Sequence, residues 1–323
     1  MTQTAAERPP RVTVGMSCYN KAAFLRETIP TVLNQTFADF EFIIWDNCST
    51  DDSVSIIKEF NDPRIRFFQN TRNIGPVASP NNCIEKARGE FFVFFHGDDL
   101  WQENFLETNI RYLDQIGTAN VSHSPMHAVD EDGVRSERFS NKGAGPYELT
   151  GYQDVLKRLF KSGYVQTPTV VYRRSVMPYY DYRYSYVCDW DMYLQLAAAK
   201  NDFLFINEPL MYYRSSAGSE TNVGVRGGGL IIECYLVLRN FFNGHPEHRG
   251  HSRKSYKRLS DATLRRSRSA ESREHAYFLM GSAILFYPLN ALSPVFHCYL
   301  LLGLLFGPAG LRLLKSRKKG GKK

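Results

Sequence analysis

Residues 91–101 read FFVFFHGDDLW, five apolar residues running almost straight into two adjacent aspartates. Phe91 to Phe95 is apolar on both faces, which predicts a strand covered on both sides, as in a parallel sheet flanked by helices. His96, Gly97, Asp98 and Asp99 then stand where that strand leaves the sheet. In open α/β sheets, ligands bind at the carboxyl ends of the strands. Two hard oxygen ligands placed there suit a divalent cation that carries phosphates. Taken alone, the pair equally suits a helix start, with Asp98 capping a helix from Leu100.

The neighbouring sequence alternates in the same manner. Val12 to Ser17 reads as a first strand, followed by a turn at Tyr19–Asn20 and a helix from about Ala22 to Gln35, in which Pro30 predicts a kink or break. Phe40 to Trp45 is a second strand ending at Asp46 and Asn47, and STDDSVSIIKEF supplies capping residues ahead of a second helix. Ile65 to Gln69, a helix around Asn81 to Ala87, and the Phe91 strand complete a doubly wound, mainly parallel α/β pattern with right-handed crossovers. Beyond residue 120 the alternation loosens. TGYQDVLKRLFKSG (150–163) and CDWDMYLQLAAAK (188–200) read as helices, TPTVVYRR (167–174) and FLFINEPLMYYR (203–214) as strand material, and VGVRGGG (223–229) as a loop.

Composition bounds the possibilities. In 323 residues, 43% hydrophobic and 14% aromatic content argue for a large packed core rather than disorder. Six scattered cysteines carry no metal-like pairing and point to a reduced, cytosolic chain, and the polar first residues hold no secretory signal. The net charge of +7 is concentrated in a cluster from Arg249 to Arg273 and another from Arg312 to Lys323, with no Asp, Glu, Lys or Arg between Ala276 and Leu311. Basic–apolar–basic patterning points to an anionic membrane surface. Without aromatic-interleaved basic motifs or zinc spacing, nucleic acid is not the expected partner.

The stretch VTVGMSCYNKAAFLRETIPTVLNQTFADFEFIIWDNCSTDDS (12–53) resembles the opening of family-2 glycosyltransferases with the GT-A nucleotide-diphospho-sugar transferase fold. NTRNIGP followed by NNCIEKARGEFFVFFHGDD (70–99), CDWDMYL (188–194) and NEPLMYYR (207–214) extend the resemblance, in order, over roughly residues 11–220. It implies that Ser17, Tyr19, Asp46 and Asn47 hold the base and ribose of a nucleotide sugar. Arg72 and Asn73 fall in the family's base-contacting loop. Asp98 lies toward the ribose, and Asp99 on a Mn²⁺ or Mg²⁺ ion that bridges the diphosphate. Asp189 aligns with the family's general base, with Cys188 where relatives carry Glu, and Asp191 reads as a supporting acid. Asn47, His96 and Ser216 stand where many relatives have Asp, Asp and His.

The apolar run 276–311 would reach about 54 Å as one helix, against a hydrocarbon core of ~30 Å, and Pro288 and Pro294 divide it into two short halves. A re-entrant hairpin or an interfacial helix pair is expected, with both flanks on the cytoplasmic side. The expected organisation is a disordered tail over 1–10, a GT-A domain over 11–245 and a membrane-association region over 246–323. The expected activity is inverting, metal-dependent transfer of a sugar from a nucleoside diphosphate, UDP in the first place, to a hydroxyl of a glycan or lipid-linked glycan acceptor at the cytoplasmic face of the inner or plasma membrane. The alternatives are transfer to a polyprenyl phosphate and a catalytically silent, membrane-tethered nucleotide-sugar binder.

Overall fold

A computed structural model describes residues 8–129, 135–138, 145–161, 164–214 and 228–313. Ser216, most of the 223–229 glycine run and the basic residues from Lys315 onward lie outside these. The chain divides into two compact units, one of Met1–Arg183 with Cys188–Ala217, the other of Tyr184–Val187 with Gly218–Lys323. The division thus falls ahead of the helix Gly229–Gly244, which the sequence reading placed in the first domain.

In the first unit, the predicted alternation is present as β1 (Val12–Cys18), α1 (Ala22–Leu33), β2 (Phe40–Asp46), α2 (Ser53–Glu59), β3 (Ile65–Gln69), α3 (Ala78–Lys86) and β4 (Phe91–His96). Pro30 lies inside α1 without ending it. The helix stops at Leu33 instead, and just beyond it Gln35 turns its amide to the carbonyls of Thr31 (2.9 Å) and Gln102 (2.7 Å). The helix expected from Leu100 is absent. Leu100–Trp101 forms the short strand β5, and α4 begins only at Phe105 (Phe105–Ile116), so Asp98 caps no helix.

The remaining elements are β6 (Ala119–His123), β7 (Met126–Val129), β8 (Arg135–Arg138), β9 (Tyr147–Thr150), α5 (Tyr152–Leu159), β10 (Val171–Arg173), α6 (Cys188–Ala198), β11 (Asp202–Ile206) and β12 (Met211–Arg214). The main sheet has the order β3-β2-β1-β4-β10-β6-β11-β9, parallel from β3 to β4, with β10 antiparallel to both its neighbours. A smaller sheet, β5-β12-β7-β8, pairs the residues just after Asp99 with the MYYR strand. Strand order reverses between β1 and β4, and the crevice at such a switch point is where open α/β sheets take their ligands. Val12, Val14, Met16, Phe42, Ile44, Phe91, Val93 and Phe95, buried from these three strands, meet Leu25, Ile29 and Val32 of α1 in one core.

The second unit is helical: α7 (Gly229–Gly244), α8 (Ser252–Arg266), α9 (Arg273–Phe286), a short 3₁₀ turn (Pro288–Leu292) and α10 (Pro294–Leu313). Its core joins Ile231, Leu264, Ala276, Leu279, Met280, Ala283, Phe286, Phe296 and Tyr299. The prolines divide the apolar run as expected. Among the described residues, no helix is long and apolar enough to cross a membrane.

Gly89 lets β4 lie close against the start of β1. A Cβ there would stand 2.5 Å from the Thr13 nitrogen and 2.6 Å from the Val12 carbonyl carbon, both backbone atoms. Gly89→Ala is therefore expected to cost about 1–3 kcal/mol, the usual range for overpacking, read as a lowered urea midpoint. Gly15→Ala meets the Phe92 ring at 2.7 Å instead. A ring can shift where backbone cannot, so the loss should be smaller.

Candidate active site

Register brings the predicted residues to one edge. Ser17 pairs with Trp45 on one side and His96 on the other, and Cys18 pairs with Asp46, so β1, β2 and β4 end level with one another. Parallel pairing makes this edge from three carboxyl ends, and the loops beyond it are stitched together. Asn20, in the left-handed region at φ 52°, donates its N–H to Ser49 Oγ (3.0 Å) and accepts the Thr50 N–H at Oδ1 (2.8 Å). The Lys21 and Ala22 N–H groups at the start of α1 donate to Ser53 Oγ (2.9 Å) and Asp51 Oδ2 (3.0 Å). Tyr19 is left exposed beside this seam, with Ser17 half-buried beneath it.

Asp46 is fully buried. Its Oδ2 accepts the Ser49 N–H (3.0 Å), while Oδ1 has no protein partner. Asn47 is different from what a direct base contact requires. Its Nδ2 donates to Asn73 Oδ1 and to the Gly75 carbonyl (both 3.0 Å), and its Oδ1 accepts from Asn70 Nδ2 (2.9 Å) and the Ile74 N–H (3.0 Å). A carboxamide has two donors and two lone pairs, so this one is saturated. Asn47 fixes the shape of the 70–75 loop, which Asn73 tightens by accepting the Gly75 N–H at 2.8 Å. Arg72 stands exposed on that loop.

At the end of β4, the Asp99 N–H returns to the His96 carbonyl (3.0 Å), closing the turn that presents both acids. Asp98 is half-buried and ion-paired with Lys21. Asp99 is 1% exposed: Oδ1 accepts the Arg214 N–H (3.0 Å) and Oδ2 is unpartnered, with His96 Nδ1 3.8 Å away. Burial, then the charge of Asp98, holds the Asp99 carboxyl well above the usual carboxylate range. Burial pushes the His96 imidazole the other way, against the pull of Asp98.

A divalent ion fits this chemistry. A buried carboxylate oxygen without a partner, beside a second carboxylate, supplies the one or two protein oxygens that Mg²⁺ or Mn²⁺ takes when substrate phosphates and water complete its shell. Among the described residues, no group of three or more His, Cys, Asp or Glu could hold an ion unaided.

Asp189, at the head of α6, lies near enough to His96 for its charge to act on the imidazole. The Thr167 hydroxyl donates to its Oδ2, and the Trp190 N–H donates to Oδ1 at 2.7 Å. Burial raises the Asp189 pKa, and these hydrogen bonds oppose the rise. Asp191 is buried, and Gln195 Nε2 reaches its Oδ1 at 3.4 Å, which makes it a packed supporting acid.

Three residues of the site escape sequence reasoning. Thr167 orients Asp189 from 22 positions away. Lys21 holds Asp98 across 77 positions. Arg214 gives its Nε to the Asp98 carbonyl (3.0 Å) and its Nη2 to Glu27 (2.6 Å), bracing the acidic turn. Only Arg214 carries a local signal, being the last residue of the MYYR motif.

Residues 13–178 match the model of glycosyl transferase family 2. An uncharacterised glycosyltransferase of Methanocaldococcus jannaschii is 30% identical over 211 residues, 64% of this chain and 71% of that protein. The GalNAc(5)-diNAcBac-PP-undecaprenol beta-1,3-glucosyltransferase of Campylobacter jejuni is 28% identical over 171 residues, 52% of this chain and 53% of its own. Among solved structures, S. aureus TarS 1-349 in complex with UDP-GlcNAc superposes with a TM-score of 0.70 at 18% identity, covering 97% of this chain and 92% of that one. The likeness shows a shared GT-A fold.

Asn47→Asp turns two buried donors into acceptors facing Asn73 Oδ1 and the Gly75 carbonyl. An unmet buried contact of this kind costs about 1–3 kcal/mol, so donor affinity should fall about ten- to hundredfold while turnover at saturating donor changes little. Calorimetric titration with donor, run beside steady-state kinetics, separates the two effects.

Proposed function

The chain belongs to glycosyl transferase family 2, and from that premise we propose an inverting, metal-dependent enzyme that moves a sugar from UDP to a hydroxyl of a lipid-linked glycan at the cytoplasmic face of the membrane. The observation that carries the chemistry is an unmet buried carboxylate oxygen, Asp99 Oδ2, at the end of β4, with the half-buried, hydrogen-bonded Asp189 close enough to act on His96 of the same strand end. The lipid-linked acceptor draws support from the undecaprenol-linked glycan that names the Campylobacter relative, and UDP from the ligand in TarS.

On this reading, the Tyr19 ring and Ser17 receive the base, and the unmatched Asp46 Oδ1 is the acceptor left for a base or ribose donor. Asn47 holds Asn73 and the exposed Arg72 beside them without touching the base itself. Asp98, steadied by Lys21, faces the ribose, and Asp99 with Asp98 would hold the ion. That ion would offset the charge gathering on the departing diphosphate. Asp189 takes the proton from the acceptor hydroxyl as the sugar–oxygen bond forms. A raised pKa suits this role, because a base is most effective when its pKa approaches the working pH. Thr167 and the Trp190 N–H fix which lone pairs of Asp189 remain for the acceptor.

Asp189→Asn should lower turnover by about 10²–10⁴-fold with donor affinity little changed, and Asp191→Asn should cost less. The same change should raise the melting temperature at neutral pH. A folded-state pKa raised by burial contributes stability that is present at low pH and lost as pH rises through it, and Asn carries no such charge. A lowered melting temperature would mean that Asp189 is a structural acid.

For the ion, Asp99→Asn should abolish the metal dependence of donor binding while the protein folds normally. Calorimetric titration of the donor with Mn²⁺ and with chelator reads this directly. Wild-type turnover that persists undiminished in chelator would remove the metal from the mechanism.

A further inference from the structure

From Ala276 to Leu311 the chain carries no formal charge, yet a large part of that stretch faces outward. α9 and α10 bury one side each in the second unit's core, and the turn joining them, with the helix ends that flank it, leaves Leu285, Leu289, Leu292 and Val295 exposed, Leu292 at 78%. Pro288 and Pro294 are exposed among them. Leu301 and Leu304 continue the apolar surface along α10. Isolated surface leucines are ordinary, but a contiguous uncharged group of them marks an interaction site.

The basic helix α8 runs beside this turn. Arg253 Nε donates to Tyr287 Oη (3.3 Å), and Asn290 Nδ2 donates to Ser260 Oγ (2.6 Å) and Asp261 Oδ1 (3.1 Å). The half of α8 so anchored presents Arg253, Lys254 and Lys257 to solvent. Its one acid, Asp261, is engaged by Lys257 (2.8 Å) and Asn290.

We infer that the 285–295 turn is a wedge that enters the headgroup and upper acyl region of one leaflet of an anionic bilayer, with the exposed cations of α8 on the lipid headgroups. Apolar side chains on a short turn flanked by cations match an interfacial element that sinks ~5–10 Å, and no described helix is suited to go further. A second copy is the poorer occupant, because a two-fold contact through this patch would set the same cations against each other. The inference deepens the membrane location proposed above and rests on it, while the donor chemistry does not enter.

Flotation of the full chain with vesicles tests it, comparing pure phosphatidylcholine with vesicles containing about one-third phosphatidylglycerol. The wild type should float with the anionic vesicles and keep a salt-resistant fraction. Leu289→Glu with Leu292→Glu should lower partitioning at least about tenfold and remove that fraction, with the melting temperature retained. Lys254→Gln should weaken binding at low salt by about fivefold and leave the salt-resistant part. A folded double variant that floats like the wild type overturns the wedge while leaving the membrane location standing. A wild type that floats with neither vesicle overturns both. A lipid-free dimer that sedimentation detects in the wild type and not in the double variant would assign the patch to self-association instead. A soluble-acceptor assay on the same samples reports separately on the transfer reaction.

Discussion

Asp99 is held out of water with one carboxylate oxygen bonded to a single backbone N–H and the other to nothing, next to a second aspartate of the same charge. Left to itself, such a group would swing outward or take up a proton, since an unpaired buried charge is costly. Burial and the neighbouring charge do favour the proton, but the outward swing is closed off because the turn is fastened from both sides. The strand before it is the apolar centre of the parallel sheet, and the two residues after it are paired to β12. Arg214 at the end of β12 supplies both the N–H to Asp99 and a guanidinium hydrogen bond to the Asp98 carbonyl. The smaller sheet is thus a brace for an unfavourable arrangement, which is what stored strain at a functional site requires.

Much of this fold was legible because the first hundred residues are locally consistent. A two-faced apolar strand such as 91–95 admits few other readings, and the turn residues after β1 and β2 announce the edge where ligands gather. The competing helix cap at Asp98 could not be settled locally. What decides it is the pairing of Leu100 and Trp101 with residues more than a hundred positions away, and no spacing rule contains that information. Thr167 is hidden for the same reason, being an ordinary threonine until α6 brings Asp189 to it.

Asn47 shows a subtler limit. Its place at a strand end marks it as a candidate for nucleotide contact, and the structure puts it directly after Asp46, where β2 leaves the sheet. Its function depends on a closed circuit with Asn70, Asn73, Ile74 and Gly75. The sequence displays these residues without the geometry that uses all four hydrogen-bonding positions of one amide. Substituting amide for carboxylate here changes a side chain that accepts into one that also ties a loop, so its loss should act through shape rather than charge.

Glu233 of α7 accepts the N–H groups of Ser185 (2.9 Å) and Tyr186 (2.7 Å), and that of Val187 lies at 3.3 Å. Residues 184–187 therefore belong to the helical unit although the residues on both sides of them belong to the sheet unit. The peptide that re-enters the sheet unit, Val187–Cys188, immediately precedes Asp189. The two units consequently do not correspond to two segments of the gene. No single cut yields an intact sheet unit, because any truncation that removes α7 strips the acceptors from the backbone just ahead of the proposed base. Modular exchange of the helical unit between relatives would have to carry this four-residue excursion with it, which ties the inheritance of the two parts together.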